Sequence, residues 1–257
     1  MVRQLLKIFI LSFICFNIFS CTSPGKLKKD QAQLRLEMAQ GLIRGQNYPQ
    51  ALKELLTAVE DDPTNPGIQE ALGQVYFARE RFELSEKHYL KAIALKPDYT
   101  EAKNYLARAY IETGRYKRAE ELLNQANTDL TYDNYNLTLA NFGILEFKKG
   151  NFEKAAGYFK KSLEKDRENC FTQVYLGRSL MEQGDSASAI TQLEKSMSFC
   201  SAADSDEAHF YSAIAYYRNK QLDRAQARFE ELISIFPNGA DVERSQKMLE
   251  IIKKGAP

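Results

Sequence analysis

The sequence has no tryptophan, two histidines, four cysteines and almost no net charge. Its 257 residues include 35 Lys+Arg and 34 Asp+Glu, and removal of Arg3 and Lys7 with an N-terminal signal would leave 33 basic residues against 34 acidic ones. Proteins that bind DNA or RNA usually carry a basic surface, because much of their affinity comes from phosphate contacts. The composition therefore argues against a nucleic-acid partner.

Catalytic motifs are also missing from the sequence. His88 and His209 lie far apart on predicted helices, and no HExxH, CxxC, GxSxG or Walker pattern occurs. Adjacent carboxylates such as Asp61 and Asp62 are typical of solvated helix ends. We therefore expect no enzyme activity, no catalytic residue, no metal site, no cofactor and no small-molecule substrate, and we interpret the chain as a binding module.

A pattern of small, aromatic and aliphatic residues returns every 34 residues. One unit contains Leu72, Gly73, Tyr76, Phe82, Ser85, Tyr89, Ala92 and Pro97. At the same offsets the next unit contains Leu106, Ala107, Tyr110, Tyr116, Ala119, Leu123 and Ala126. This period is that of the tetratricopeptide repeat, a pair of antiparallel helices that stacks against the next pair.

The same register defines six units, at about 32–65, 66–99, 100–133, 136–169, 170–203 and 206–239. The first helix of each unit has a small residue at the eighth place: Ala39, Gly73, Ala107, Gly143, Gly177 and Ala213. The second helix has another at the twentieth place: Ala51, Ser85, Ala119, Ala155, Ala189 and Ala225. Small residues on facing helices allow the two backbones to approach closely.

Residues that end helices recur in the same register. We expect left-handed conformations between the two helices of a repeat at Gly45, Gly114, Gly150 and Gly184. Pro63, Pro97 and Pro237 are expected to end the second helices of their repeats. We therefore predict an all-α fold over residues 35–257, a tetratricopeptide-repeat solenoid of about six helix-turn-helix repeats with a C-terminal capping helix at 240–254.

The N-terminal segment carries a signal of another kind. Arg3 and Lys7 are followed by an apolar run, Ile8 to Phe19, that is too short to span a bilayer comfortably. Because Cys21 follows it, the segment resembles a bacterial lipoprotein signal peptide at residues 1–20. Cys21 would then be the lipidation site and would carry acyl chains such as palmitate.

The alternative is an uncleaved N-terminal anchor, and both interpretations place the repeats in an extracytoplasmic compartment. Thr22 after the cysteine resembles an outer-membrane address, so we expect a lipid-anchored, periplasm-facing protein of the outer membrane. Residues 21–34 are expected to form the acylated N-terminus and a solvated linker. Contact of Lys26, Lys28 and Lys29 with anionic head groups is the alternative for this segment.

Cys170 and Cys200 occupy the first and thirty-first places of the fifth repeat. The start of the first helix and the end of the second are neighbours in an antiparallel pair, so these side chains come close enough for a disulfide. We predict that they are joined in an oxidising compartment, and the alternative is two unrelated buried thiols.

The first helices of such repeats line a concave groove, and we assign the second, fifth, ninth, twelfth and thirteenth places to it. In the last three repeats many of these places are apolar. We predict a protein-binding site at Ile144, Phe147, Phe171, Val174, Met181, Phe210, Ile214 and Tyr217. The alternative is that the C-terminal helix covers these side chains.

Two further features carry a family resemblance: the first repeat ends in Asp62-Pro63, and the fourth opens NLTLANFGILEFKKGNFEKAAGYFKKSLE. With the lipoprotein signal and six repeats, the chain resembles the type IV pilus lipoproteins of the PilF, PilW and Tgl family. That resemblance implies a pilotin, a protein that binds secretin subunits and promotes their outer-membrane localisation and assembly. The alternative is an adaptor for periplasmic proteases, peptidoglycan enzymes or outer-membrane protein assembly.

Overall fold

The computed structural model describes residues 24–200 and 205–255, which form thirteen α-helices and no strand. The first six helices are α1 (Pro24–Arg44), α2 (Tyr48–Asp61), α3 (Pro66–Ala78), α4 (Phe82–Leu95), α5 (Thr100–Glu112) and α6 (Tyr116–Asn127). The others are α7 (Tyr135–Lys148), α8 (Phe152–Lys165), α9 (Cys170–Glu182), α10 (Ser186–Ser196), α11 (Ser205–Arg218), α12 (Leu222–Ile235) and α13 (Val242–Lys253). Six helix pairs and a final helix confirm the predicted all-α repeat fold.

The chain divides into two compact units, one that ends at Pro97 and one that begins at Asp98. In the first unit α1 packs on α2 and α3 on α4. In the second unit α5 to α12 form four such pairs, and α13 packs on α12. The first helices of neighbouring pairs within the second unit, α5, α7, α9 and α11, also lie against one another.

The close approach of the two helices in a repeat depends on the eighth place. A Cβ atom added to Gly73, Gly143 or Gly177 would lie 2.5 Å from the side chain at the twenty-fourth place, which is Tyr89, Phe159 or Leu193 respectively. No real Cβ atom fits at that distance from a neighbouring atom. Where the eighth place is alanine, the twenty-fourth is again a fully buried large side chain, as in Leu55, Leu123 and Phe229. The small residues of the twentieth place are fully buried too.

The turns between paired helices differ from the prediction in one repeat. Gly114, Gly150 and Gly184 have positive φ angles of 74°, 83° and 86°, whereas the left-handed residue of the first repeat is Gln46 at 57° and not Gly45. Gln46 is in register with the three glycines, as are Glu80 and Lys220, which also have positive φ. Three of these turns therefore hold a non-glycine residue in a conformation that glycine adopts more easily.

The predicted helix ends after the second helices are observed. α2, α4 and α12 each stop two residues before Pro63, Pro97 and Pro237. Proline lacks the amide proton that a continuing helix needs, and it disfavours helical geometry at the residue before it.

The segment expected to be a linker is helical from Pro24 onward. Ala32 and Leu36 of α1 are buried in the core of the first unit, and they hold the second half of that segment in the helix. Lys26, Leu27, Lys28 and Lys29 favour helix, which explains why the helix continues toward the N-terminus. The predicted signal peptide and Cys21 lie outside the described residues.

Cys170 and Cys200 form a disulfide, with a Cα–Cα distance of 4.8 Å. The bond joins the first residue of α9 to the segment that follows α10, so it closes the open end of the fifth helix pair. Among the helices of the described ranges, none is long and apolar enough to cross a lipid bilayer.

Gly143→Ala tests the close approach at the eighth place. The added methyl group meets the Phe159 ring, so the variant should lower the free energy of unfolding by about 1–2 kcal/mol, although alanine favours helix by about 1 kcal/mol. Gly157→Ala is the matched control, since Gly157 is helical and has no neighbouring atom within 4 Å of an added Cβ. Urea unfolding should show the control at or above the stability of the parent. Equal stabilisation by both variants would contradict this account of the core.

The disulfide is tested by alkylation and mass spectrometry of the oxidised protein. Neither Cys170 nor Cys200 should be modified before reduction, and both should be modified after it. Because the bond closes a segment with a sequence separation of 30 residues, the chain-entropy model gives it about 3–4 kcal/mol of stability. Cys170→Ser with Cys200→Ser should lose stability on that scale. Two alkylated cysteines in the unreduced protein would refute the bond.

Candidate protein-binding groove

The five places assigned to the groove do not all face it. In the second unit the fifth place is buried in every repeat, as Asn104, Ala140, Val174 and Phe210. The second and thirteenth places keep accessible surface throughout, and the ninth does so in three of the four repeats. Successive residues of a helix are rotated by about 100°, so the second, ninth and thirteenth places lie within about 20° of one direction. The fifth and twelfth lie about 60–80° to one side, toward the neighbouring first helix.

The prediction that all eight apolar residues face the groove is therefore wrong for four of them. The exposed fractions are 0% for Ile144, 1% for Val174, 3% for Met181 and 3% for Phe210. Val174 and Met181 belong to a core cluster with Leu193 of α10. These side chains pack one repeat onto the next, and so they cannot contact a partner in this structure. The half-buried members are Phe147, Phe171, Ile214 and Tyr217.

The C-terminal helix covers part of the sixth repeat, as the alternative interpretation expects. The Arg244 guanidinium of α13 lies 4.0 Å from the centre of the Phe210 ring, and Leu249 belongs to the same core cluster as Phe210. Ile144, by contrast, lies on α7, two helix pairs before the last, where the packing of the repeats themselves buries it.

Most of the charged residues on the accessible line of the groove are paired with one another. At the thirteenth place Glu112 pairs with Lys148 at 2.9 Å and Glu182 pairs with Arg218 at 2.9 Å, each pair joining two neighbouring first helices. At the other end of the line Arg178 pairs with Glu207 at 2.9 Å. The groove is thus a surface of alternating, mutually paired charges and not a continuous apolar strip.

Two arginines at the ninth place also stack on aromatic rings. The Arg178 guanidinium lies 4.1 Å from the ring centre of Tyr211, 4.4 Å from that of Tyr175 and 5.1 Å from that of Phe147. Arg108 lies 4.8 Å from the centre of the Phe171 ring and donates to Glu112 Oε1 at 3.0 Å. Cation–π contacts of this kind hold both the guanidinium groups and the rings in place.

Phe171 is the aromatic residue that connects the two cavities of the groove. One cavity, of about 370 Å³, lies between the starts of α7 and α9 and is lined by Arg108, Phe171 and the asparagines Asn134, Asn136, Asn141 and Asn169. The other, of about 420 Å³, is lined by Phe171, Val174, Cys170, Ala240 and the acidic residues Asp206, Glu207 and Asp241. A half-buried ring between a polar and an acidic cavity is a suitable anchor for a bound segment.

The surroundings of the acidic cavity raise the pKa values of two of its carboxyl groups. Burial raises the pKa of Glu207 above its ordinary range, and the charges of Asp241 and Asp206 raise it further, while Arg178 offsets part of the rise. Burial likewise raises the pKa of Asp241, against the effect of its partner Arg244. In Glu112 burial acts to raise the pKa as well, but the combined effect of Arg108 and Lys148 outweighs it and lowers the pKa.

The fourth repeat supplies structural support for the groove through its Asn-x-Gly sequence. The Asn141 amide donates to the backbone oxygen of Asn104 at 3.2 Å and so joins α7 to α5. Gly143 gives Phe159 its place in the core. These two residues therefore build the scaffold, and only the accessible edge of Asn141 reaches the polar cavity.

Sequence reasoning missed the asparagine-lined cavity and the stacked arginines. The sequence does contain a signal, which becomes visible when one place is followed through successive repeats. The ninth place of the last four repeats is Arg108, Ile144, Arg178 and Ile214, and the thirteenth is Glu112, Lys148, Glu182 and Arg218. Both series alternate, and the alternation of charge sign at the thirteenth place predicts ion pairs between neighbouring repeats.

Comparison with known proteins supports the assignment of tetratricopeptide repeats. Three family models, each described as a tetratricopeptide repeat, match residues 36–100, 76–130 and 207–239. The type IV pilus assembly protein PilF of Pseudomonas aeruginosa is 26% identical over 148 residues, a match of 56% of this chain and 59% of that protein. The chain spans less than two thirds of the length of the first curated relatives it matches.

Two solved structures share the fold over most of the chain. The structure of P. aeruginosa PilF has a TM-score of 0.64 and 19% identity, and the alignment covers 87% of this chain and all of that one. The crystal structure of PilW, described as a widely conserved type IV pilus biogenesis factor, has a TM-score of 0.68 and 21% identity, with 83% and 97% covered. The chain is a protein built of tetratricopeptide repeats, and the proteins similar to it include PilF and PilW of type IV pilus biogenesis.

Proposed function

We propose that this protein is a lipid-anchored pilotin that binds secretin subunits and promotes their localisation and assembly in the outer membrane during type IV pilus biogenesis. The observation that carries the proposal is the similarity to PilF and PilW, which extends over 100% and 97% of those two chains. A repeat array of this length with relatives in pilus biogenesis suggests a non-catalytic adaptor. The lipoprotein signal at Cys21 supports the membrane-anchored form of that role.

The groove of the second unit is the surface we assign to the secretin segment. Its accessible charges are paired with one another, so a bound chain gains little from them unless it displaces a partner. Phe171 offers a half-buried ring, and the side-chain amides of Asn134 and Asn136 in the same cavity offer donors and acceptors that match the backbone of an extended segment. Binding therefore requires a segment that places an apolar side chain on Phe171 and forms backbone hydrogen bonds in the polar cavity.

Phe171→Ser tests this assignment. Loss of the ring should weaken capture of a purified secretin segment at least tenfold, which is about 1.4 kcal/mol, while helicity is retained. Tyr158→Ser is the matched control, because Tyr158 is a half-buried aromatic residue of the second helix α8, away from the groove. Affinity should be measured by calorimetry, and thermal unfolding should be recorded for both variants. A folded Phe171→Ser protein that binds the secretin segment as tightly as the parent does would show that the groove is not the secretin-binding surface.

The identity of the partner is tested by affinity capture from solubilised membranes with the parent chain. A secretin as the main captured protein supports the pilotin role. Capture of a periplasmic protease, a peptidoglycan enzyme or a component of outer-membrane protein assembly in its place would favour the adaptor alternative and refute the pilotin role.

Cys21→Ala tests the anchor. Without the thiol no acyl chain can be attached, so the variant should leave the outer-membrane fraction or accumulate as an uncleaved precursor. Cys15→Ala is the control, since that cysteine belongs to the predicted signal peptide and should not affect labelling. Metabolic incorporation of a fatty acid reports the result. Equal labelling of Cys21→Ala and the parent would show that Cys21 is not the lipidation site.

A further inference from the structure

One edge of α1 is apolar and exposed. Leu27, Leu34 and Met38 have exposed fractions of 52%, 59% and 51%. At about 100° of rotation per residue these three side chains lie within about 20° of one direction on the helix. They therefore form a stripe, which we call the α1 edge.

The register of the repeats shows that the α1 edge corresponds to a surface that is buried between repeats elsewhere in the chain. Leu34 and Met38 occupy the third and seventh places of the first repeat. In the second repeat these places are Ile68 and Leu72, both fully buried in the core that includes the first repeat. The corresponding residues of the fourth, fifth and sixth repeats are also buried: Thr138 and Phe142, Thr172 and Leu176, Ala208 and Ser212. No residue of the described ranges covers the equivalent surface of α1.

Exposed leucines elsewhere in the first unit do not share this property. Leu56 and Leu90 have exposed fractions of 45% and 47%, but both occupy the twenty-fifth place, on the outer side of a second helix. Side chains at the twenty-fifth place face solvent in other repeats as well. The exposure of these two leucines therefore does not indicate a missing contact. Isolated exposed leucines are common, whereas a stripe at positions that are elsewhere buried marks a contact surface.

The surroundings of the α1 edge suit the surface of a lipid bilayer. Lys26 and Lys28 are exposed and lie about 100° to either side of Leu27. Lysines in those positions place their charge among anionic head groups while the apolar stripe between them faces the acyl chains. Cys21 precedes Leu27 by six residues, and six residues reach at most about 20 Å. A lipid on Cys21 therefore holds the start of α1 at the membrane surface.

We propose that the α1 edge lies in the head-group region of the membrane, so that the first repeat is seated on the bilayer. This inference rests on the proposed function through the acylated Cys21. An acylated residue holds the adjoining helix at the membrane surface, and an apolar or basic contact of that helix adds to the attachment. The α1 edge supplies that contact, and it fixes which end of the repeat array meets the membrane.

Site-specific photo-crosslinking tests the occupant of the α1 edge. A benzophenone amino acid replaces Leu34, Met38 or, as the matched control, Leu90 in the full acylated chain. Each protein is reconstituted in vesicles of phosphatidylethanolamine and phosphatidylglycerol that contain a radiolabelled phospholipid. Residues 34 and 38 should form at least about ten times more lipid adducts than residue 90, as expected for side chains inserted at the interface.

A second set of variants tests the stripe as a unit. With the crosslinker at Leu27, Leu34→Glu together with Met38→Glu should lower the lipid adducts about fivefold or more, because charged residues at the centre of the stripe oppose insertion. Leu90→Glu should leave them unchanged. All these side chains are exposed, so the variants should keep the helicity and melting behaviour of the parent.

Other results would overturn the proposal. A covalent dimer through residue 34 would assign the α1 edge to a second copy of the chain. An adduct to residues 1–23 would show that the chain's own N-terminal segment covers the α1 edge. Equal yields of lipid adducts at residues 34 and 90 would show that the α1 edge does not contact lipid. Mass spectrometry of the N-terminal peptide separates this test from the anchor itself, since it reports acylation of Cys21 whatever the crosslinks show.

Discussion

The contact between a small residue at the eighth place and a large one at the twenty-fourth determines the rest of the structure. In the fourth repeat it is Gly143 against Phe159, and it sets the distance between α7 and α8. The core within one repeat is small, so the side chains on the remaining faces of its first helix pack on the next repeat. Val174 and Phe210 are buried for that reason. The side chains accessible in the groove are therefore those that the packing between repeats does not bury.

The sequence predicts the repeats well because their period is repeated six times, so that a local ambiguity in one unit is corrected by the others. The sequence predicts the groove residues less accurately than the repeats. That prediction requires the direction of each side chain to within about 50°, which is half of the rotation between successive residues. Val174 and Phe210 at the fifth place and Met181 at the twelfth fall outside that limit, so their side chains pack on the neighbouring repeat. Ile144 at the ninth place lies within it and is buried all the same by the packing of the repeats. Gly45 was misassigned for a related reason: the left-handed position follows the register, which selects Gln46, and not the nearest glycine.

The arrangement of arginines and rings explains how a charged groove retains a hydrophobic anchor. Arg178 is held by Tyr175, Tyr211 and Glu207, so its charge is already paired and its guanidinium covers the two rings. Phe171 has Arg108 on one side and two cavities beside it, which leaves part of the ring for another molecule. Under the proposed function, a partner must fit the two cavities in order to reach the ring.

The disulfide between Cys170 and Cys200 has a consequence for the fate of a damaged chain. A protease cut anywhere between these residues, for instance in the turn at Gly184, leaves two fragments that remain covalently joined. Unfolding of the C-terminal helices likewise leaves the two ends of the fifth repeat covalently joined.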